Sequence, residues 1–170
     1  MTKIIKENQK ENLQVRIENI KLAIESFSST YAGDKHNYIE ATPLSVDTIK
    51  DIQAYPEDYQ MFLRELGMIY LATNDCETLV ILSPQYEEQY PDDYGECGMW
   101  WGYTPQLFPC HARAGLLPCG YESVGFDLRS KPFLFTNFSD TKYSSFLTFV
   151  EEEFRENEHL RPHFKTPRAH

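Results

Sequence analysis

The segment Tyr55-Pro56-Glu57-Asp58-Tyr59-Gln60-Met61-Phe62-Leu63-Arg64-Glu65-Leu66-Gly67 constrains the fold most, because it carries its own start, buried face and stop. A proline at the first helical position gives up no hydrogen bond, and two acids in the first turn oppose the positive end of the helix dipole. Tyr59, Phe62, Leu63 and Leu66 recur at three- and four-residue spacing, which predicts one buried stripe. Gly67 supplies the stop, since glycine takes up the left-handed backbone of a helix terminus without steric cost.

The rest of the chain is read around this helix. Leu13, Ile17, Ile20, Ile24 and Phe27 lie four and three apart, predicting an amphipathic helix over roughly residues 9 to 28 that covers one face of a sheet, with Lys10, Glu18, Lys21 and Glu25 mostly elsewhere. Residues 28–42 carry turn formers and no clean period, so they read as a loop, with His36 a surface residue. Pro43-Leu44-Ser45 opens a short helix with Ser45 as N-cap and with Leu44 and Ile49 or Ile52 inward. Met68–Leu71 and Leu79–Leu82 read as strands around the turn Thr73-Asn74-Asp75. Gly115–Cys119, Ser123–Leu128 and Pro132–Phe135 extend them into an antiparallel meander. A last helix starts at Ser144 or Ser145 and turns Phe146, Phe149, Val150 and Phe154 inward, with Glu151-Glu152-Glu153 as its solvated end. The expected class is α+β, a mainly antiparallel sheet packed against N-terminal and C-terminal helices. A single domain is expected over residues 1–154, followed by a flexible basic tail over 155–170.

Composition narrows the function. At 170 residues one sizeable core is expected, and eleven Phe, eleven Tyr and two Trp argue against disorder over most of the length. A formal charge of −10 repels nucleic acid and anionic membranes and favours a cationic protein as partner. The N-terminal residues lack the apolar core and cleavage site of a secretory signal, and no apolar run approaches membrane-spanning length, so a cytoplasmic protein is expected. In that compartment Cys76, Cys97, Cys110 and Cys119 read as reduced thiols.

The helix Tyr55–Gly67 resembles the signature of the SUKH superfamily, in which a proline-acid-tyrosine start leads to a Phe-Leu pair and a glycine before the first strand. Gly115-Leu116-Leu117-Pro118 followed by Phe126-Asp127 is similar to a later strand pair of that family, and Ser145–Val150 to its closing helix. The resemblance spans about residues 15 to 155. The chain differs from the pattern at Tyr55, where leucine is common, at Met68, where a second glycine is frequent, and in the long insert from Gln85 to Arg113. What the resemblance implies is a sheet backed by helices and a role in protein binding without catalysis. Most bacterial members of the family are immunity proteins that neutralise toxins, often nucleases, and fungal members regulate cell-wall synthesis through protein contacts.

The insert holds the candidate site. Residues 86–103, YEEQYPDDYGECGMWWGY, contain five carboxylates, six large aromatics and no lysine or arginine. Between Arg64 and Arg113 there are eight acids and no lysine or arginine, so this segment carries −8 of the total −10. Clustered carboxylates steer a basic partner, and desolvated Tyr or Trp side chains anchor it. The expected contact residues are therefore Glu87, Glu88, Tyr90, Asp92, Asp93, Tyr94, Glu96, Trp100 and Trp101. The bland alternative is a solvated acidic face with the tryptophans in the core. An adaptor or regulatory scaffold would use the same surface physics. Cys97, Cys110, His111 and Cys119 could complete a tetrahedral zinc site, although their spacing is not that of a CxxC knuckle. No nucleophile elbow, phosphate loop, HExxH or EF-hand pattern occurs, and no catalytic residue or cofactor is expected.

Overall fold

A computed structural model describes residues 2–74, 76–81, 111–116, 123–129, 131–137 and 143–165. Helix α1 (Thr2–Thr30) leads to strand β1 (Tyr38–Thr42), two single turns of 3-10 helix (Val46–Thr48 and Ile52–Ala54) and helix α2 (Glu57–Glu65). Strands β2 (Met68–Thr73), β3 (Cys76–Ile81), β4 (His111–Leu116), β5 (Ser123–Asp127) and β6 (Leu134–Asn137) follow, and helix α3 (Phe146–Glu156) comes last. The six strands form one sheet in chain order, every neighbouring pair antiparallel, so the expected meander is present. Helix α1 packs on β1 and α2, and α2 on α3. The fold is of the α+β kind.

The core face of the sheet follows from strand alternation. Ile39 pairs with Leu71 and Ala41 with Ile69, and on the other side of β2, Leu71 pairs with Leu79 and Ile69 with Ile81. Ile69, Leu71, Leu79 and Ile81 are fully buried. Over them lies an aromatic cluster in which Tyr59 stands 4.5 Å from Phe126 and 4.6 Å from Phe146, with Phe62 4.9 Å from Phe146. Tilted and edge-on contacts of this kind add to the area buried, because ring edges meet ring faces of opposite partial charge.

Gly67 does more than stop α2. Its φ of 68° lies in the left-handed region, its N–H donates to the Phe62 carbonyl at 2.9 Å, and a Cβ there would sit 1.7 Å from the Thr42 carbonyl oxygen. The turn from α2 into β2 thus passes directly against the end of β1, which only a residue without a side chain permits. Nearby, the Leu44 N–H donates to the Leu63 carbonyl at 3.0 Å.

Besides β4, which starts at His111 rather than at the expected Gly115, and α1, which starts at Thr2 rather than at about residue 9, four features depart from the sequence reading. Residues 38–42, read as loop, form the edge strand β1, because Ile39 and Ala41 find their partners on β2 and only Ile39 gives a strong apolar signal. A turn built on Asp34 leads into it: the carboxylate accepts from the His36 N–H at 2.8 Å and the Asn37 side chain at 2.9 Å, which lowers its pKa. Second, Pro56 precedes the first helical residue of α2, and the first short helix is a single 3-10 turn in which the Ser45 side chain makes no cap bond. Third, the acids of α3 are not a solvated end. Glu151 is 7% exposed and takes a two-pronged bond from Arg16 at 2.7 and 2.9 Å, while Glu153 accepts from the Tyr143 hydroxyl at 3.0 Å. The Glu151 bond is also the main reason the Arg16 pKa is raised.

The fourth concerns residues 155–170, expected to be a flexible tail, of which Arg155 and Glu156 belong to α3. Leu160 is fully buried and Phe164 is 6% exposed, so the chain is packed through residue 164. Asn157 starts the turn by accepting from the His159 and Leu160 N–H groups at 2.9 and 3.2 Å. Phe164 stands 5.7 Å from Phe154 with the Arg155 guanidinium over its ring, and His163 Nδ1 lies 2.8 Å from Ser26 Oγ on α1.

Candidate functional site

The nine expected contact residues, Glu87, Glu88, Tyr90, Asp92, Asp93, Tyr94, Glu96, Trp100 and Trp101, lie outside the described residues, as do Cys97, Cys110 and Cys119. Their points of attachment are defined. In sequence, residues 82–110 fall between the adjacent strands β3, which ends at Ile81, and β4, which begins at His111. Those strands share two register pairs, Val80 with Leu116 and Ile81 with Gly115. The first residues of β4 are instead paired on their other side, His111 with Asp127 and Ala112 with Phe126 of β5. The two strands that flank the acidic aromatic stretch in sequence are therefore neighbours in the middle of the sheet, and β3 finishes at the same end as β1 and β5.

Alternation of direction brings other groups to that same end. The turn between β5 and β6 carries Arg129, whose side chain and backbone N–H both bind the Asp127 carboxylate at 2.9 Å. Lys131 follows, 3.5 Å from Asp51 and 6.0 Å above the Phe133 ring. The Phe133 N–H donates to the Ala54 carbonyl at 2.7 Å, which fixes the turn against the second 3-10 segment. Between these segments lies an open groove of about 610 Å³ lined by Ile49, Asp51, Ile52, Gln53, Ala54, Lys131 and Pro132.

The groove combines apolar and charged lining. Ile49 and Ile52 form its apolar floor, while Asp51 and Lys131 at the rim keep 44% and 66% of their side chains exposed. An ion pair so exposed is worth well under about 1 kcal/mol and is free to exchange partners. Sequence reading does not find this groove, because its two walls are some eighty residues apart and neither carries a motif. Among the described residues no group of three or more His, Cys, Asp or Glu side chains is arranged to hold a metal ion. No helix among them is long and apolar enough to cross a membrane. No protein-family model, curated protein or solved structure matches the chain.

Proposed function

We propose that this chain is a cytoplasmic, non-enzymatic domain of SUKH type that binds and neutralises a cognate basic toxin, possible nuclease toxins included, through residues 86–103. One observation carries the reading: an acidic and aromatic stretch, five carboxylates and six aromatics in eighteen residues without a base, placed in sequence between two neighbouring strands of a helix-backed sheet. The carboxylates raise the encounter rate with a basic surface, by about 10- to 1,000-fold for strong steering. Aromatic anchors then slow dissociation, typically by about 2 kcal/mol or more for each central one. The fold class, an antiparallel sheet with N-terminal and C-terminal helices, supports the reading.

The test is co-purification with the toxin domain encoded by the neighbouring reading frame, together with an assay of that toxin's activity. Binding that weakens with added salt and is lost on reversing Glu87, Glu88, Asp92 and Asp93 to lysine is the expected result. Binding indifferent to both changes would dismiss the steering role. Binding without loss of toxin activity would favour an adaptor or regulatory scaffold. Metal analysis of protein purified without chelator tests zinc at Cys97, Cys110, His111 and Cys119, where a stoichiometry near zero removes that alternative.

A further inference from the structure

Three large hydrophobic side chains are exposed among the described residues, and two of them, Val15 at 55% and Leu22 at 53%, lie on α1 seven residues apart. They sit on the far side of the helix from the core stripe of Ile17, Ile20, Ile24 and Phe27. Glu11, Glu18 and Glu25 stand beside them, all exposed and also seven apart. At about 100° per residue, the five directions fall within an arc of roughly 80°. Glu11, Val15, Glu18, Leu22 and Glu25 thus make one straight stripe with the alternating four-three spacing of a helix–helix seam. This seam faces solvent. Lys21 offsets only part of its charge: its short bond, 2.6 Å, goes to Glu65 of α2, and it reaches Glu18 of the seam only at 3.9 Å.

The chemistry of the stripe selects its occupant. A second copy of α1 fits poorly, because parallel pairing sets glutamate against glutamate and antiparallel pairing sets glutamate against Val15 or Leu22. Either arrangement desolvates carboxylates that gain no partner. A helix with apolar residues opposite Val15 and Leu22, and Lys or Arg opposite the glutamates, buries the first set and pairs the second.

We propose that the outer face of α1 is a docking site for a basic amphipathic helix of a partner protein. Val15 and Leu22 are its apolar anchors, and Glu11, Glu18 and Glu25 set the charge it accepts. The surface is distinct in sequence from residues 86–103, and its test separates the two.

The probe is a labelled peptide of three heptads with leucine at one seam position, lysine at the other and alanine and glutamine elsewhere. A control peptide carries glutamate in place of each lysine. Titrated with the full chain, the lysine peptide binds at least about tenfold more tightly than the control, and the V15S/L22S variant loses about tenfold. The E11K/E18K/E25K variant inverts the preference between the two peptides. Where that triple variant fails to fold, E18Q and L22S singly carry the same test with smaller losses. Reversal of Glu87, Glu88, Asp92 and Asp93 leaves the lysine peptide's affinity unchanged. The proposal is overturned if the lysine peptide does not bind, if its binding ignores the α1 substitutions, or if reversal at residues 87–93 abolishes it. Self-association in sedimentation equilibrium that disappears with Leu22→Ser would likewise overturn it, by assigning the face to a second copy.

Discussion

Two glutamates of α3, Glu151 and Glu153, and three of α1, Glu11, Glu18 and Glu25, meet opposite fates on helices that flank one core. Glu151 and Glu153 are 7% and 9% exposed, and each receives a donor from another part of the chain. Glu11, Glu18 and Glu25 face water in a row. Residue type does not separate the two sets. What separates them is whether a donor reaches the site, because a carboxylate taken out of water costs several kcal/mol unless it is paired and hydrogen-bonded. Arg16 of α1 supplies that donor to Glu151, so one helix carries both the cation that buries an acid of α3 and the acids left exposed behind it.

The sharpest way to break the contrast is Glu151→Ala. Removing the acid leaves a guanidinium that had two bonds at 2.7 and 2.9 Å without that acceptor. Breaking a fully buried pair typically costs about 3–5 kcal/mol. The Arg16 side chain keeps 28% of its exposure, so water recovers part of the loss and about 2 kcal/mol is expected in urea unfolding. Glu151→Gln keeps the shape and one acceptor and loses about half as much. A Glu151→Ala cost no larger than an ordinary surface change, about 0.5 kcal/mol, would show that Glu151 behaves like the α1 set.

Next in size is Tyr143→Phe. It deletes the hydroxyl that donates to Glu153 at 3.0 Å and retains the ring 5.2 Å from Phe149. The expected loss is about 1 kcal/mol, measured as a fall in melting temperature, with the aromatic contact preserved.

These buried acids also mark where the sequence stops being informative. Local signals read well: the stop at Gly67, the inward face of α2, and Ser145 as the cap of α3, whose hydroxyl accepts the Thr148 N–H at 3.2 Å. Those depend on neighbours within one turn. Glu151 depends on a residue 135 positions away, and Asp58, read only as a first-turn acid of α2, also accepts the Leu147 N–H of α3 at 3.0 Å. Strand β1 is hidden for the same reason, since its partners are all on β2. Leu160 and Phe164 are masked by the histidines and charges around them. The acidic stretch is legible as chemistry but its surroundings are not, whereas the α1 seam is spelled out by spacing once apolar residues off the core stripe are counted.

His163 lies between the two extremes, at the border of the inner and outer faces of α1, and its effect is smaller. Burial, then the nearby Lys165, pushes its pKa below the usual value of about 6.5. Above that value the imidazole is neutral whether the chain is folded or not, and its 2.8 Å contact with Ser26 contributes fully. As pH falls through about 6.5 toward the lower folded value, the unfolded chain takes up a proton that the folded chain resists, so stability drops. His163→Asn abolishes this contribution. Comparing urea midpoints of the two proteins near neutral pH and near pH 6 isolates it, and an identical fall in both would mean that folding does not lower the affinity of this ring for a proton.

The smallest effect on stability is expected where the effect on recognition is largest. Replacing Glu11, Glu18 and Glu25 one at a time by glutamine changes stability by no more than about 0.5 kcal/mol, because each is exposed. Even Glu18, which keeps 54% of its side chain in solvent, forms no more than a weak pair with Lys21. The same substitutions weaken binding of the lysine peptide while the melting temperature stays put. Glu151→Gln does the reverse, lowering the melting temperature without altering peptide affinity. A melting loss at Glu18 comparable to that at Glu151 would mean that the outer face of α1 is structural, and would leave the seam with nothing to recognise.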